Sequence, residues 1–312
     1  MSAPEQNRTE PNRKLDKKHD SRLRLVDREN GRKIAVESRG NPNGLPVMFL
    51  HGMFGSRIPP IAIDRIPEGI HLITYDRPGY GLSNRQVGRT IADTPADIAA
   101  IAGDLGIDKL VVIGVSGGGP HALACAALLS QRVEKVFVIA GLAPPDAEGL
   151  DWYAGMDPAN VIGLQNAARG GEGHRQLRAS FEERARENPR EQYSNGYLSQ
   201  FLTDEDRKII NDPTIKELSI AARIEAFRQG VDGWFDDNIA QQYLPWGFGL
   251  DKIPVPVSFF HGTDDRVVPP NHSEWLARQI PSADLTLVPG QSHFLSRRLL
   301  PEILKQVEAE NL

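Results

Sequence analysis

The stretch Lys109 to Leu129, KLVVIGVSGGGPHALACAALL, leaves this chain few architectures to fold into. Lys109 to Val115 is an apolar, β-branched run of strand length. Pro120 to Leu129 reads as an Ala/Leu-rich helix, its proline tolerated in the first turn. Between them Gly114-Val115-Ser116-Gly117-Gly118 makes a sharp corner, with small residues on both sides of one serine. A Cβ at Gly114 or Gly118 would crowd neighbouring backbone at such a corner. The helix N-terminus behind Ser116 aims N–H groups and a partial positive charge at the serine, which favours a developing oxyanion. A glycine-rich turn that packs tightly or cradles a phosphate would look similar locally. The rest of the chain favours a nucleophile.

Before this corner, Arg22 to Asp27 alternates apolar and polar residues as a half-exposed strand does. An Asn-Gly turn at Glu29-Asn30-Gly31-Arg32 returns it as a second strand, Lys33 to Ser38. Short apolar strands are expected at Val47 to Leu50 and His71 to Tyr75, and after the corner at Lys135 to Ala140. Thr90 to Leu105 has helical spacing and ends at Gly106, a glycine C-cap. Strands resume at Val257 to His261 and Asp284 to Val288, with a helix around His272 to Ile280 between them and a last helix after His293. Short, wholly apolar strands separated by helices predict a mainly parallel, eight-stranded sheet with helices on both faces. The opening hairpin adds an antiparallel edge.

Residues 146–249 interrupt this grammar. They hold no strong buried strand, are helical in composition, and are broken at Gly170-Gly171, Pro189 and Pro213. So long a segment must have structure of its own. Placed after the sixth strand, over the carboxyl ends of a continuing sheet, it reads as a helical lid. Its tryptophans read as lid core, and its acid–base pairs as a solvated face. The expected organisation is a core of residues 21–145 and 250–312, a cap of 146–249, and a disordered polar tail at 1–20. That tail has no apolar core and is no signal peptide. Net charge −5 gives no reason to expect a nucleic-acid partner, and no apolar run approaches a membrane span. The single cysteine, Cys125, excludes an intrachain disulfide, reads as a packed inert thiol, and fits a reducing, cytoplasmic setting.

Four loops at strand carboxyl ends carry unusual residues, and sites sit at those ends in open α/β sheets. They hold His51-Gly52-Met53-Phe54, Ser116, Gly262-Thr263-Asp264-Asp265, and Gly290-Gln291-Ser292-His293. HGMFGS at 51–56, DRPGYGLS at 76–83, GVSGGGPHA at 114–122, HGTDDRVVP at 261–269 and PGQSHF at 289–294 give the chain a resemblance to the α/β-hydrolase superfamily, in its capped, esterase-like form. The resemblance covers about residues 22 to 312 and is weakest over 146–249. It implies Ser116 as nucleophile, His293 as base and Asp265 as the orienting acid, with the adjacent Asp264 as the alternative. It implies an oxyanion hole of backbone N–H groups, one from Gly117 and the other from Met53 or Phe54. His51 is expected to support that loop, and Arg77 and Tyr80 to shape the site by packing. His121 and His261 read as structural.

The residue types suit the chemistry. A serine hydroxyl needs a base that titrates near the working pH, which histidine supplies, and a carboxylate fixes the imidazole tautomer. The expected activity is hydrolysis of a small to medium, mostly apolar ester or lactone through an acyl-enzyme. Carbon–carbon bond hydrolysis of a diketone is the alternative, with a perhydrolase side activity, a ligand receptor, or a non-hydrolytic biosynthetic enzyme on the same scaffold behind it. Epoxide hydrolases and haloalkane dehalogenases of this fold carry aspartate where this chain has Ser116. No cofactor or metal is expected: the histidines lack ligand spacing. The partner is a small-molecule substrate; the substrate-binding residues are not legible.

Overall fold

The computed structural model describes residues 22–28, 31–191 and 203–312. The expected tail and the Glu29-Asn30 turn residues lie outside them. Eight strands form one sheet: β1 (Arg22–Asp27), β2 (Lys33–Gly40), β3 (Leu45–Leu50), β4 (Ile70–Tyr75), β5 (Leu110–Val115), β6 (Val133–Ile139), β7 (Val257–Gly262) and β8 (Ala283–Val288). Their order is β1-β2-β4-β3-β5-β6-β7-β8. β2 pairs antiparallel with both β1 and β4, and every later pairing is parallel. β5 therefore lies in mid-sheet, where both faces are covered and an all-apolar LVVIGV is affordable.

Alternation along the strands divides the core in two. Met48, Leu50, Val112, Val136 and Val138 join Ile98 and Ile101 of α1 (Thr94–Asp104) and Leu123 of α2 (Gly119–Leu128). Leu276 of α8 (Asn271–Gln279) belongs to the same cluster. Their neighbours Val47, Phe49, Val111, Ile113 and Phe137 face the other way, onto Leu299, Leu300, Ile303 and Leu304 of α9 (Leu295–Glu310). The helix expected from Thr90 opens instead as a short 3₁₀ turn, Ile91–Asp93, before α1 begins. Pro95 has no N–H for an i−4 bond to Ile91, so the α ladder cannot start earlier. α1 ends as expected at Gly106, at φ +68, with the Ile107 N–H closing on Ala102 O.

Between β6 and β7 come α3 (Pro158–Arg169), α4 (Gly171–Arg186), α5 (Asp204–Asn211), α6 (Pro213–Ala226) and α7 (Asp232–Gln242). Local chemistry starts three of them. Asp157 caps Ala159 N–H, Asp212 caps Thr214 and Ile215 N–H, and Thr203 with Asp206 forms a capping box. A third apolar cluster joins these helices to two sheet-end loops: Leu177, Phe181, Ala226 and Trp234 pack with Tyr80, Met53 and Phe54. Phe181 stacks on Trp234 at 3.3 Å between ring centroids. Trp152 and Trp246 belong to the main sheet cluster instead. Among the described residues no helix is long and apolar enough to cross a membrane.

Candidate active site

Ser116 sits where β5 gives way to the turn into α2, at φ +52. That left-handed conformation costs a non-glycine residue about 1–3 kcal/mol and persists only where its surroundings impose it. They do so by close approach. A Cβ on Gly118 would lie 2.2 Å from Leu50 O, and one on Gly114 2.6 Å from Gly118 O. Gly118→Ala is therefore expected to cost about 3 kcal/mol, since the contact is backbone and cannot yield cheaply. Urea unfolding of the variant measures it, and a loss under about 1 kcal/mol would show that the corner tolerates a methyl group.

Two sheet-end loops bring His293 and Asp265 to this serine. His293 Nε2 lies 2.9 Å from Ser116 Oγ, and its Nδ1 lies 2.7 Å from Asp265 Oδ2. An ionised carboxylate only accepts, so Nδ1 carries the proton and Nε2 accepts from the serine hydroxyl. Asp265 is 3% exposed, and its other oxygen accepts from Val267 and Val268 N–H at 2.8 and 3.0 Å. Burial alone would raise its pKa, but the neighbouring His293 and hydrogen bonds from His261 and His293 outweigh it and hold the carboxyl well below the usual range. Asp264 faces solvent and accepts from Thr263 Oγ1. Burial and direction thus separate the two candidate acids. His261 is buried, with Nδ1 2.6 Å from Ser273 Oγ and Nε2 2.7 Å from Val268 O.

The loop after β3 lies directly beside Ser116: a Cβ on Gly52 would stand 3.2 Å from the serine Cβ. Gly55 N–H closes on Gly52 O, and Phe54 takes φ +61, the geometry of a type II turn. His51 is buried. Its Nε2 accepts from Arg77 N–H at 3.4 Å and its Nδ1 donates to Gly52 O at 2.8 Å. Burial, then the charge of Arg77, pushes its pKa well below the ordinary histidine value, so it is a neutral strut. The Arg77 guanidinium binds the carbonyls of both His51 and Gly52.

Arg77 is anchored in turn by a residue that sequence reasoning missed. Asp237 of α7 is fully buried and accepts from Arg77 Nε and Nη2 at 3.0 and 2.7 Å, from Tyr80 Oη at 2.8 Å, and from Arg89. His121 Nε2 stands 3.5 Å from it; burial lowers the pKa of that imidazole to about 4. A second clamp joins Arg57 to Asp76 at 2.5 Å and to Glu225 of α6 at 2.6 Å. The expectation of a solvated charged face holds for Glu172–Arg175 and Glu205–Lys208, which are exposed, and fails for Asp237 and Glu225. No periodicity distinguishes the two sets, because a carboxylate paired across the fold has the same local sequence as a solvated one.

Ser116 and His293 open on a cavity of about 680 Å³, also lined by Met53, Phe54 and Gly117's neighbour Gln241. Its wall is largely apolar, with Leu142, Leu164, Leu177, Phe181, Trp234 and Val268, and α6 adds Ser219 and Arg223. Gln241 Nε2 donates to Gly117 O at 3.0 Å. Among the described residues no group of three or more His, Cys, Asp or Glu side chains is placed to hold a metal ion.

A mainly parallel eight-stranded sheet, with a strained serine at the mid-sheet strand-to-helix corner and a histidine and an aspartate on later sheet-end loops, defines an α/β hydrolase fold. The model of the alpha/beta hydrolase fold family matches residues 46–296, and the chain belongs to that family. Over 281 residues it is 23% identical to a putative non-heme chloroperoxidase of Synechocystis, covering 87% of this chain and 92% of that protein. It is 24% identical over 280 residues to the esterase YbfF of Escherichia coli, with 88% and 95% covered. A solved hydrolase from Pseudomonas aeruginosa superposes with a TM-score of 0.65 at 18% identity, covering 92% of this chain and 97% of that one.

Proposed function

We propose that the protein is a serine hydrolase that forms an acyl-enzyme on Ser116 and acts on small to medium, mostly apolar esters or lactones. The observation that carries this reading is the continuous hydrogen-bonded chain Ser116 Oγ, His293, Asp265. As Ser116 Oγ attacks the acyl carbonyl, His293 Nε2 takes its proton, and Asp265 stabilises the imidazolium. The oxyanion is received by two backbone donors, each worth about 3 kcal/mol in the transition state. One is Gly117 N–H. For the other we assign Met53 over Phe54. The Gly52 carbonyl is held by His51, Arg77 and Gly55, and across a trans peptide the Met53 N–H points the opposite way from it. His293 then returns the proton to the leaving alkoxide. Water, deprotonated by the same imidazole, releases the acid and restores Ser116.

The helices of the 146–249 segment act as the cap in this reading. They close the cavity above Ser116, and the buried clamps through Asp237 and Glu225 seat them on the sheet-end loops. The names esterase and haloperoxidase among the relatives fit an acyl-enzyme scaffold and leave the acyl group open. The direct test is incubation with an alkyl fluorophosphonate followed by peptide mass analysis. A single phosphonyl adduct is expected on the peptide bearing Ser116, and none after heat denaturation. A folded protein that stays unlabelled would overturn the reading.

A further inference from the structure

The cavity wall carries a cation that the proposed chemistry does not use. Arg223, on α6, is half-buried, and no hydrogen bond or ion pair engages its guanidinium among the described residues. Its Cζ lies 4.9 Å from the centroid of the Phe54 ring and 5.2 Å from that of Phe227. Two aromatic faces hold the charge in place without satisfying its five donors. Phe54 belongs to the loop beside Ser116, and Arg223 and Ser116 line the same cavity.

We propose that Arg223 recognises an anionic group, a carboxylate, on the substrate, so that the cavity takes an acyl compound with an apolar body and a charged end; this rests on the acyl-enzyme reading. The surroundings agree. Arg184 and Arg297 also line the cavity, against Glu187 as the carboxylate among the described lining residues, in a chain whose net charge is −5. Ser219, one helical turn before Arg223 on the same face, takes a hydrogen bond from Arg297 at 3.1 Å. The basic end of the cavity is thus built from α4, α6 and α9 together, facing an otherwise apolar wall. Burial lowers the Arg223 pKa to about 10, with Glu187 raising and Arg184 lowering it, so the group stays charged at neutral pH. A partly desolvated cation whose donors have no protein acceptor gains most from an anion able to accept two of them.

The test compares p-nitrophenyl monoesters of dicarboxylic acids, from adipate to sebacate, with neutral p-nitrophenyl esters of the same chain lengths. A second series, 4-carboxyphenyl esters of neutral acids, moves the charge to the alcohol side. The readout is the ratio of kcat/KM for charged over neutral substrate, which cancels any general effect of a variant on folding or catalysis. Wild type is expected to favour the charged ester about 10- to 100-fold at its best chain length in one series. Arg223→Gln should bring that ratio near one, and Arg223→Lys should keep part of it. A wild-type ratio at or below one in both series, or a ratio unchanged in Arg223→Gln, overturns the proposal. Calorimetric binding of the same esters to Ser116→Ala, alone and combined with Arg223→Gln, separates the two readings. If wild type turns over neither ester while Ser116→Ala still prefers the charged one, the hydrolase reading fails and the anion site stands. Turnover of neutral esters with no preference in either assay leaves the hydrolase reading and removes the anion site.

Discussion

Ser116→Ala is expected to lower kcat on p-nitrophenyl esters by about 10⁵-fold or more, with the protein still folded. The serine oxygen supplies the bond of the intermediate, so its loss removes the route itself. What remains is water attack aided by the oxyanion donors and binding. The fold should survive because alanine at φ +52 bears the same backbone strain as serine, and the Gly114 and Gly118 contacts are untouched. Ser116→Gly goes further. It removes the strain at the corner and should stabilise the protein by about 1 kcal/mol or more while remaining as inactive. Initial rates and thermal melts on the three proteins measure both effects. Wild-type-like turnover in Ser116→Ala would end the acyl-enzyme reading and turn attention to a non-hydrolytic role of the cavity. A glycine variant less stable than wild type would show that the corner is not a strain reservoir.

The sheet and the serine corner were legible because they rest on local rules. Alternation and short apolar runs marked all eight strands, and LVVIGV followed by small residues could only be a covered strand ending at a tight corner. The family resemblance favours Asp265 over Asp264 by its spacing after Gly262, but composition alone does not separate them, since both follow the same strand. Their difference is burial, and it comes from Val267 and Val268 N–H folding back onto Asp265. What the sequence hid is how the 146–249 segment seats itself. Arg77 and Asp237 are 160 positions apart, and Arg57 and Glu225 are 168 apart. Neither carboxylate lies in a pattern that distinguishes it from its exposed neighbours. Arg223 was hidden for the same reason: a cation facing a cavity and one facing water are written with the same letter.

Asp237→Asn is expected to cost about 3–5 kcal/mol of stability, the largest effect of any single change outside the serine corner. Arg77 and Arg89 reach Asp237 with side chains 0% and 2% exposed, and Tyr80 donates to it as well. Asparagine keeps the shape, but it offers one acceptor oxygen where the carboxylate offered two, and it turns an N–H₂ toward a guanidinium. Two buried cations are then left without an anion. The same change loosens Arg77, which holds the His51 and Gly52 carbonyls, so kcat should fall alongside stability if those carbonyls orient the Met53 N–H. The pH dependence carries a sign. Burial would raise the Asp237 pKa, but Arg77, Arg89 and His121 outweigh it and hold it well below the ordinary carboxylate value. Its contribution is therefore fully present above the unfolded-state pKa of about 3.9 and is lost as pH falls below that value toward the folded one. Urea unfolding of wild type should weaken from about pH 4 downward, and Asp237→Asn should start lower and decline less steeply over that range. A variant within about 1 kcal/mol of wild type at pH 7, with the same acid decline, would show that the seat of α7 is made by the Phe181–Trp234 packing rather than by the buried charges.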